Sequence, residues 1–280
     1  MKKNILTLTV LISLIFITMT YGRSTQAANV AASTAATVTK LVLQYENFDI
    51  PPWNFTNGTG INFLLLKSVA KELPEVQFEF RSVPWKRCFN EMKDGAADGC
   101  FSASFSEERK EFGVYPMLNN TIDDSKRLYT MSYNLYVKKE NAEKIKLDGF
   151  KIIGLPANGI IAAPSGWSIE KDLKDNGYKL DQSTADYDAN FKKVQTERVF
   201  GYALLSSIGD EVLKNPQFTD VVAINKPLVS KNYYLMFSHQ VFKKHPELIN
   251  KIWSKIEEVR ESAEFKKQIK AFLVNTNSTK

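Results

Sequence analysis

The chain has 280 residues, 44% hydrophobic and 12% aromatic, which is enough for one large domain or two of ordinary size. Its formal charge of +6 comes from 37 basic and 31 acidic residues mixed along the sequence, too small an excess for a nucleic-acid binder. Two histidines and two cysteines, with no acid cluster at ligand spacing, speak against a metal site, and no motif calls for a cofactor.

Met1-Lys2-Lys3-Asn4 precedes a short apolar run, Ile5 to Met19, and small residues follow near Ala27. These are the three parts of a secretory signal peptide, so residues 1–27 are expected to be cleaved on export to the periplasm. The alternative is an uncleaved anchor, although the run falls short of the ~20 apolar residues a span needs. No cysteine stands there to carry a lipid. Removing Lys2, Lys3 and Arg23 would leave a net charge of +3. Residues 28–39 are Ala-, Thr- and Val-rich without a period and read as a flexible leader. Cys88 and Cys100 both follow it. An even pair in an exported chain reads as a disulfide, against the alternative of two separate buried thiols.

From Lys40 the elements follow in order. Leu41 to Tyr45 is a short apolar strand, and the loop from Asn47 to Gly60 carries Pro51, Pro52, Gly58 and Gly60. Apolar residues at 61, 64, 65, 69 and 73 give a helical period. Val76, Phe78 and Phe80 alternate as a strand, which Pro84 stops. A helix from Trp85 to Lys93 ends before Gly95, and Gly99 to Ser104 is the next strand. This is the grammar of a mostly parallel sheet. After Tyr115-Pro116 the stretch 117–126 reads as loop, and Tyr133 to Lys138 as a strand. A second α/β set follows. Its strands are expected at 152–154, 160–163, 199–205 and 221–224, and its helices from Ser165 to Leu173 and Asp188 to Gln195. Tyr233 to Phe237 is the last strand, and amphipathic helices from Pro246 to Arg260 and Ala263 to Leu273 close the chain.

Ligands of parallel α/β sheets bind beyond the carboxyl ends of strands. Trp53, Trp85 and Trp167 fall in such loops or at a helix start, beside Pro, Gly, Ser, Lys or Asn. Amphipathic rings there suit the walls of a small-molecule pocket, or else pack a loop onto the domain. In Ser102-Ala103-Ser104-Phe105-Ser106-Glu107-Glu108-Arg109 a strand ends in hydroxyls and a helical turn begins at Ser106. Free N–H groups, a hydroxyl and a guanidinium would converge there on a carboxylate. The alternative is an exposed Arg109 paired with Glu107 or Glu108.

Pro84-Trp85-Lys86-Arg87, Met92 to Gly95, Ala97-Asp98-Gly99, Ser104 and Glu108-Arg109 together resemble the family 3 solute-binding proteins, the periplasmic receptors of polar amino-acid ABC importers. Gly166-Trp167-Ser168, Arg198-Val199 and His245-Pro246-Glu247-Leu248 extend the resemblance along the chain. It implies a two-lobed α/β periplasmic-binding-protein fold of type II, each lobe a mostly parallel sheet flanked by helices. Residues 40–130 and 231–280 would form lobe 1 and 131–230 lobe 2, with two hinge crossings near Tyr129–Ser132 and Val229–Asn232. Carried over residue by residue, Arg109 would hold a ligand carboxylate with Ser104, Trp85 would stack on the ligand, and Ser168 would supply the hydroxyl of the second lobe. One position departs: where amino-acid receptors have an acid for the ligand ammonium, this chain has Leu205, then Ser206 and Ser207, with Asp210 further on. The expected function is a monomeric receptor that closes on a small polar, carboxylate-bearing solute and presents it to an ABC-transporter permease or a membrane sensor. The alternative is an enzyme on the same scaffold, dehydratase-like or transglycosylase-like, for which Glu46 and Asp49 are the acids at hand.

Overall fold

The structure is a computed structural model that describes residues 38–278. The expected signal peptide and all but the last two residues of the leader lie outside these residues. Thr39, the last leader residue, already opens the first strand.

In chain order the first elements are β1 (Thr39–Glu46), α1 (Ile61–Glu72), β2 (Val76–Val83), α2 (Trp85–Lys93) and β3 (Gly99–Ser104). A 3-10 turn (Glu108–Glu111) precedes a small hairpin of β4 (Met117–Leu118) and β5 (Thr121–Ile122). Then come β6 (Tyr129–Lys138), α3 (Lys139–Ala142), β7 (Lys146–Asp148), β8 (Lys151–Ile153), β9 (Ile160–Ala162) and α4 (Ser168–Asp175). The next group is β10 (Lys179–Asp181), α5 (Tyr187–Gln195), β11 (Gly201–Leu205), α6 (Ser206–Val212) and β12 (Val221–Ala223). Last are β13 (Val229–Phe237), α7 (His239–Lys244), α8 (Pro246–Glu261) and α9 (Ala263–Ser278).

One sheet runs β10-β9-β11-β6-β13-β3-β1-β2, with β12 also on β6. Its two arms are parallel within themselves, β1 with β3 and β9 with both β10 and β11. The strands between the arms are antiparallel, which the mostly parallel expectation omits. Val229 to Tyr233 of β13 pair with Tyr133 to Tyr129 of β6. Beyond that shared stretch the strands part: β6 goes on along β11, and β13 along β3. The chain therefore crosses between the halves of a two-lobed fold on two adjacent strands, which Ser132 and Ser230 join at 2.7 Å through their hydroxyls.

Each arm has its own aromatic centre. Tyr45, Phe63, Phe80 and Phe101 pack with centroids 4.9–5.9 Å apart in the first. Phe191 packs on Tyr136, Tyr202 and Phe218 in the second. A further cluster under α2 holds Trp85, Phe89, Met92, Tyr115 and both cysteines. Gly60 starts α1 at φ +123, where an added Cβ would lie 2.4 Å from the Trp53 carbonyl, so the tight entry to the helix needs glycine.

The expected Cys88–Cys100 disulfide is absent. Both residues are free, buried thiols within this cluster, the Cys88 thiol directed at the Val83 carbonyl at 3.9 Å. They act as small apolar packing groups, and burial pushes the Cys100 thiol up to about 12 and Cys88 higher still. Among the described residues no helix is long and apolar enough to cross a membrane.

Candidate functional site

An inner cavity lies where the two arms face each other beside the crossing strands. Its volume is about 30 Å³. Trp85, Ser104, Arg109, Trp167 and Ser168, all expected from the sequence, line it. Glu46, Ile50, Ser102, Tyr133, Leu205 and Tyr233 complete the wall.

Arg109 is buried, held by two bonds from Nη1 to the carbonyl and hydroxyl of Ser104, each 2.8 Å. Its guanidinium lies over the rings of Phe89 and Trp85, 5.0 and 5.6 Å from their centroids. It forms no ion pair among the described residues, contrary to the alternative of an exposed arginine paired to its neighbours. Glu107 pairs with Lys110, and Glu108 with Lys171. Ser106 leads into the turn, accepting from the Arg109 N–H through its carbonyl at 3.1 Å and its hydroxyl at 3.4 Å.

Ser102 is the extra residue of a bulge in β3. Ala103 pairs with Tyr234 and Phe101 with Leu235, leaving Ser102 without a counterpart at φ 69. Its hydroxyl accepts from Asn54 at 2.6 Å and from Asn62 at 3.2 Å. The left-handed backbone is thus held by a buried polar network directly beneath the cavity.

Glu46, at the carboxyl end of β1, is the acid of this wall. It is buried, and its carboxylate accepts from the N–H groups of Asn47 (3.1 Å) and Trp85 (3.2 Å), the latter opening α2. Burial raises its pKa to about 7, against the opposing pull of those two bonds. No Lys, Arg or His pairs with it among the described residues. The sequence carries a signal for Glu46, one acid ending an apolar strand where ligands gather, but offers it together with Asp49 only as an acid for an enzyme, in a place where loop acids are usually solvated. Asp49 is of that solvated kind: it is exposed and accepts from the Thr56 N–H at 2.7 Å.

Trp53 is the one expected site residue that does not reach the cavity. Its ring stacks on Tyr129 (4.2 Å, 10°), and Tyr129 stacks on Tyr233 (4.8 Å, 5°), so it backs a wall residue from behind. The departure at Leu205 stands. Leu205 lines the cavity, while Asp210 accepts from the Tyr136 hydroxyl at 2.8 Å. The hydroxyls of Ser168 and Tyr233 are buried without a well-formed hydrogen bond, on either side of Tyr133. Both tyrosines sit on the crossing strands, a location the sequence reading did not connect with the pocket. No group of three or more His, Cys, Asp or Glu that could hold a metal occurs among the described residues.

Arg109, Trp167 and Ser168 also line a second cavity, at the mouth of the cleft, with a volume of about 540 Å³. Lys171 of α4 reaches Glu108 of the opposite arm across it at 3.2 Å. Lys231 of β13 pairs with Asp172 of α4. Burial depresses the Lys231 pKa and the Asp172 partner opposes that shift.

No curated protein matches the chain at a significant level. Solved structures do. A mutant of ArgBP from T. maritima superposes with a TM-score of 0.61 at 19% identity, covering 84% of this chain and 95% of the other. A histidine kinase sensor domain similar to periplasmic binding proteins gives 0.63 at 16%, covering 85% and 97%. An ancestral amino acid-binding protein, precursor of cyclohexadienyl dehydratase, gives 0.60 at 21%, covering 83% and 94%. At these identities the likeness is one of fold. The model of the bacterial extracellular solute-binding proteins, family 3, matches residues 46–275, and the chain belongs to that family.

Proposed function

We propose that the protein is an extracytoplasmic receptor that closes on a compact zwitterionic solute, taking its carboxylate on Arg109 and its ammonium on Glu46. The observation that carries this reading is a pair of charges in one cavity that are unmatched among the described residues: a buried guanidinium without an acid and a buried carboxylate without a base. Each costs free energy in the empty protein, and a ligand of the opposite charge at each end removes both costs. Glu46 thereby takes the part of the acid missing at Leu205. Ser104 assists Arg109, Trp85 provides an apolar wall, and Ser168, whose buried hydroxyl beside Tyr133 makes no well-formed hydrogen bond, meets the carboxylate from the start of α4.

Residues 40–130 and 231–280 would move as one lobe and 131–230 as the other, bending where β6 and β13 run together. The contacts of Trp167 with the Trp85 cluster and of Lys171 with Glu108 are those of the closed form. The closed form is what an importer permease or a membrane sensor would recognise, in the periplasm after removal of residues 1–27.

One observation favours a second reading. A buried carboxylate with a pKa of about 7 is also fit for general acid–base work. Calorimetric titration with aminocarboxylates, followed by chromatography of the recovered ligand, separates the two. A receptor gives one-to-one binding and returns the ligand unchanged. Turnover that is lost in Glu46→Gln identifies an enzyme, and absence of binding by any zwitterion refutes the receptor reading.

A further inference from the structure

The inner and mouth cavities share Arg109, Trp167 and Ser168, so these residues form the wall between them. Arg109 and Ser168 are short-reaching there, one tied to Ser104 and the other a single hydroxyl. The bulk of the wall is the half-buried indole of Trp167, which packs against both the main core and the Trp85 cluster of the opposite arm.

The backbone fixes this indole independently of any ligand. Gly166 is left-handed at φ +82, and its N–H donates to the Glu170 carboxylate one turn ahead. The Glu170 N–H donates back to the Trp167 carbonyl at 3.0 Å, and Trp167 is the N-cap of α4. The Lys86 side chain passes 3.1 Å from where a Gly166 Cβ would stand, closing the other side of the turn.

The space on the two sides differs in kind. The inner cavity holds the unmatched Glu46 and Arg109, and its 30 Å³ is room for roughly two waters. In the mouth cavity the lysines are already matched: Lys171 with Glu108 and Asp175, Lys174 with Glu170, and Lys231 with Asp172. Apart from Arg109, which the inner site already uses, the mouth therefore offers volume without an unmatched charge to hold the far end of a ligand.

We infer that Trp167 is the specificity-determining residue of the site, walling the inner cavity from the mouth and limiting the ligand to a short aminocarboxylate. This rests on the zwitterion reading above. A longer chain would have to displace an indole whose turn is fixed at three points, and the cost rises with each methylene as in any overpacked interior.

The test is calorimetric titration of wild type, Trp167→Phe and Trp167→Ala with two series. Glycine through norleucine keeps the charged ends fixed, and glycine through 6-aminohexanoate separates them. In wild type, affinity should fall at least about fivefold for each methylene beyond the best member. In Trp167→Ala the fall should begin later by two or more methylenes, with Trp167→Phe between. An unchanged size limit in Trp167→Ala overturns the inference while leaving the zwitterion reading intact. If no member binds either protein, the zwitterion reading fails. The wall is then judged from the crystal structure of Trp167→Ala, where one continuous cavity supports it and two separate cavities overturn it.

Discussion

Replacing Glu46 by Gln keeps the volume of the side chain and an oxygen to accept from Asn47 and Trp85, and puts an uncharged NH2 in place of the ionisable oxygen. In the folded protein the Glu46 proton is held up to about pH 7, against an ordinary value of 4.5. The folded state thus binds more protons than the unfolded chain between those limits. The stability associated with this group is fully present below about pH 4.5 and is lost as pH rises through 7. A shift of this size corresponds to roughly 3 kcal/mol. Ligand-free Glu46→Gln should therefore match wild type near pH 4.5 and exceed it at pH 8 by up to roughly 3 kcal/mol. Urea unfolding of both proteins across that pH range measures the difference. Equal stability at pH 8, or a less stable variant, would mean that Glu46 already has a positive partner, and the argument for a ligand ammonium would collapse. The same variant should lose affinity for the zwitterion, giving the stability-for-function exchange expected of a binding residue.

Arg109→Ala should weaken ligand binding by about 2–5 kcal/mol in calorimetric titration, and Arg109→Lys should not restore it, because an ammonium cannot reproduce the two-pronged geometry. Normal binding by Arg109→Ala would remove the carboxylate anchor from the account. Titration of the denatured, unreduced protein should find both Cys88 and Cys100 as free thiols, while the native protein reacts slowly because both are buried. A denatured protein with no titratable thiol would contradict the packing described under α2. Small-angle scattering should show compaction on adding ligand, and an unchanged radius with ligand verifiably bound would exclude a closing receptor.

Much of the first arm is legible in the sequence because its strands are apolar runs bounded by glycine and proline. The strand from Gly99 to Ser104 is found to the residue, and α2 likewise. In the second arm, β10 is Lys179-Leu180-Asp181, a three-residue edge strand with nothing in its composition to mark it. The α6 helix carries Gly209, a poor helix former, because the Tyr136 ring lies where a Cβ would go, so tertiary contact overrides local preference. The first of the crossing strands starts at Tyr129 rather than Tyr133, since the stretch joining the halves sets Thr130 and Ser132 between Tyr129, Met131 and Tyr133 instead of running apolar.

The site divides in the same way. Arg109, Ser104, Trp85, Trp167 and Ser168 converge as the order of motifs implies. Trp53 satisfies the same rule for aromatic rings in loops, yet a stacking partner, Tyr129, claims it. Glu46 enters the sequence reading only as an acid for the enzyme alternative, because a single acid after a strand has no sequence signature that separates a buried carboxylate from a solvated one. Only the α2 N-terminus and the opposite arm, which close over it in three dimensions, tell the two apart.

Calorimetric titration with three matched compounds tests the pairing of Arg109 with Glu46 most directly: a short aminocarboxylate, the same acid without its amine, and the same amine without its carboxylate. The account predicts measurable binding of the zwitterion alone, with about 2 kcal/mol or more lost on removing either charge. Equal affinity for the acid without its amine would contradict it, because Glu46 would then play no part in recognition.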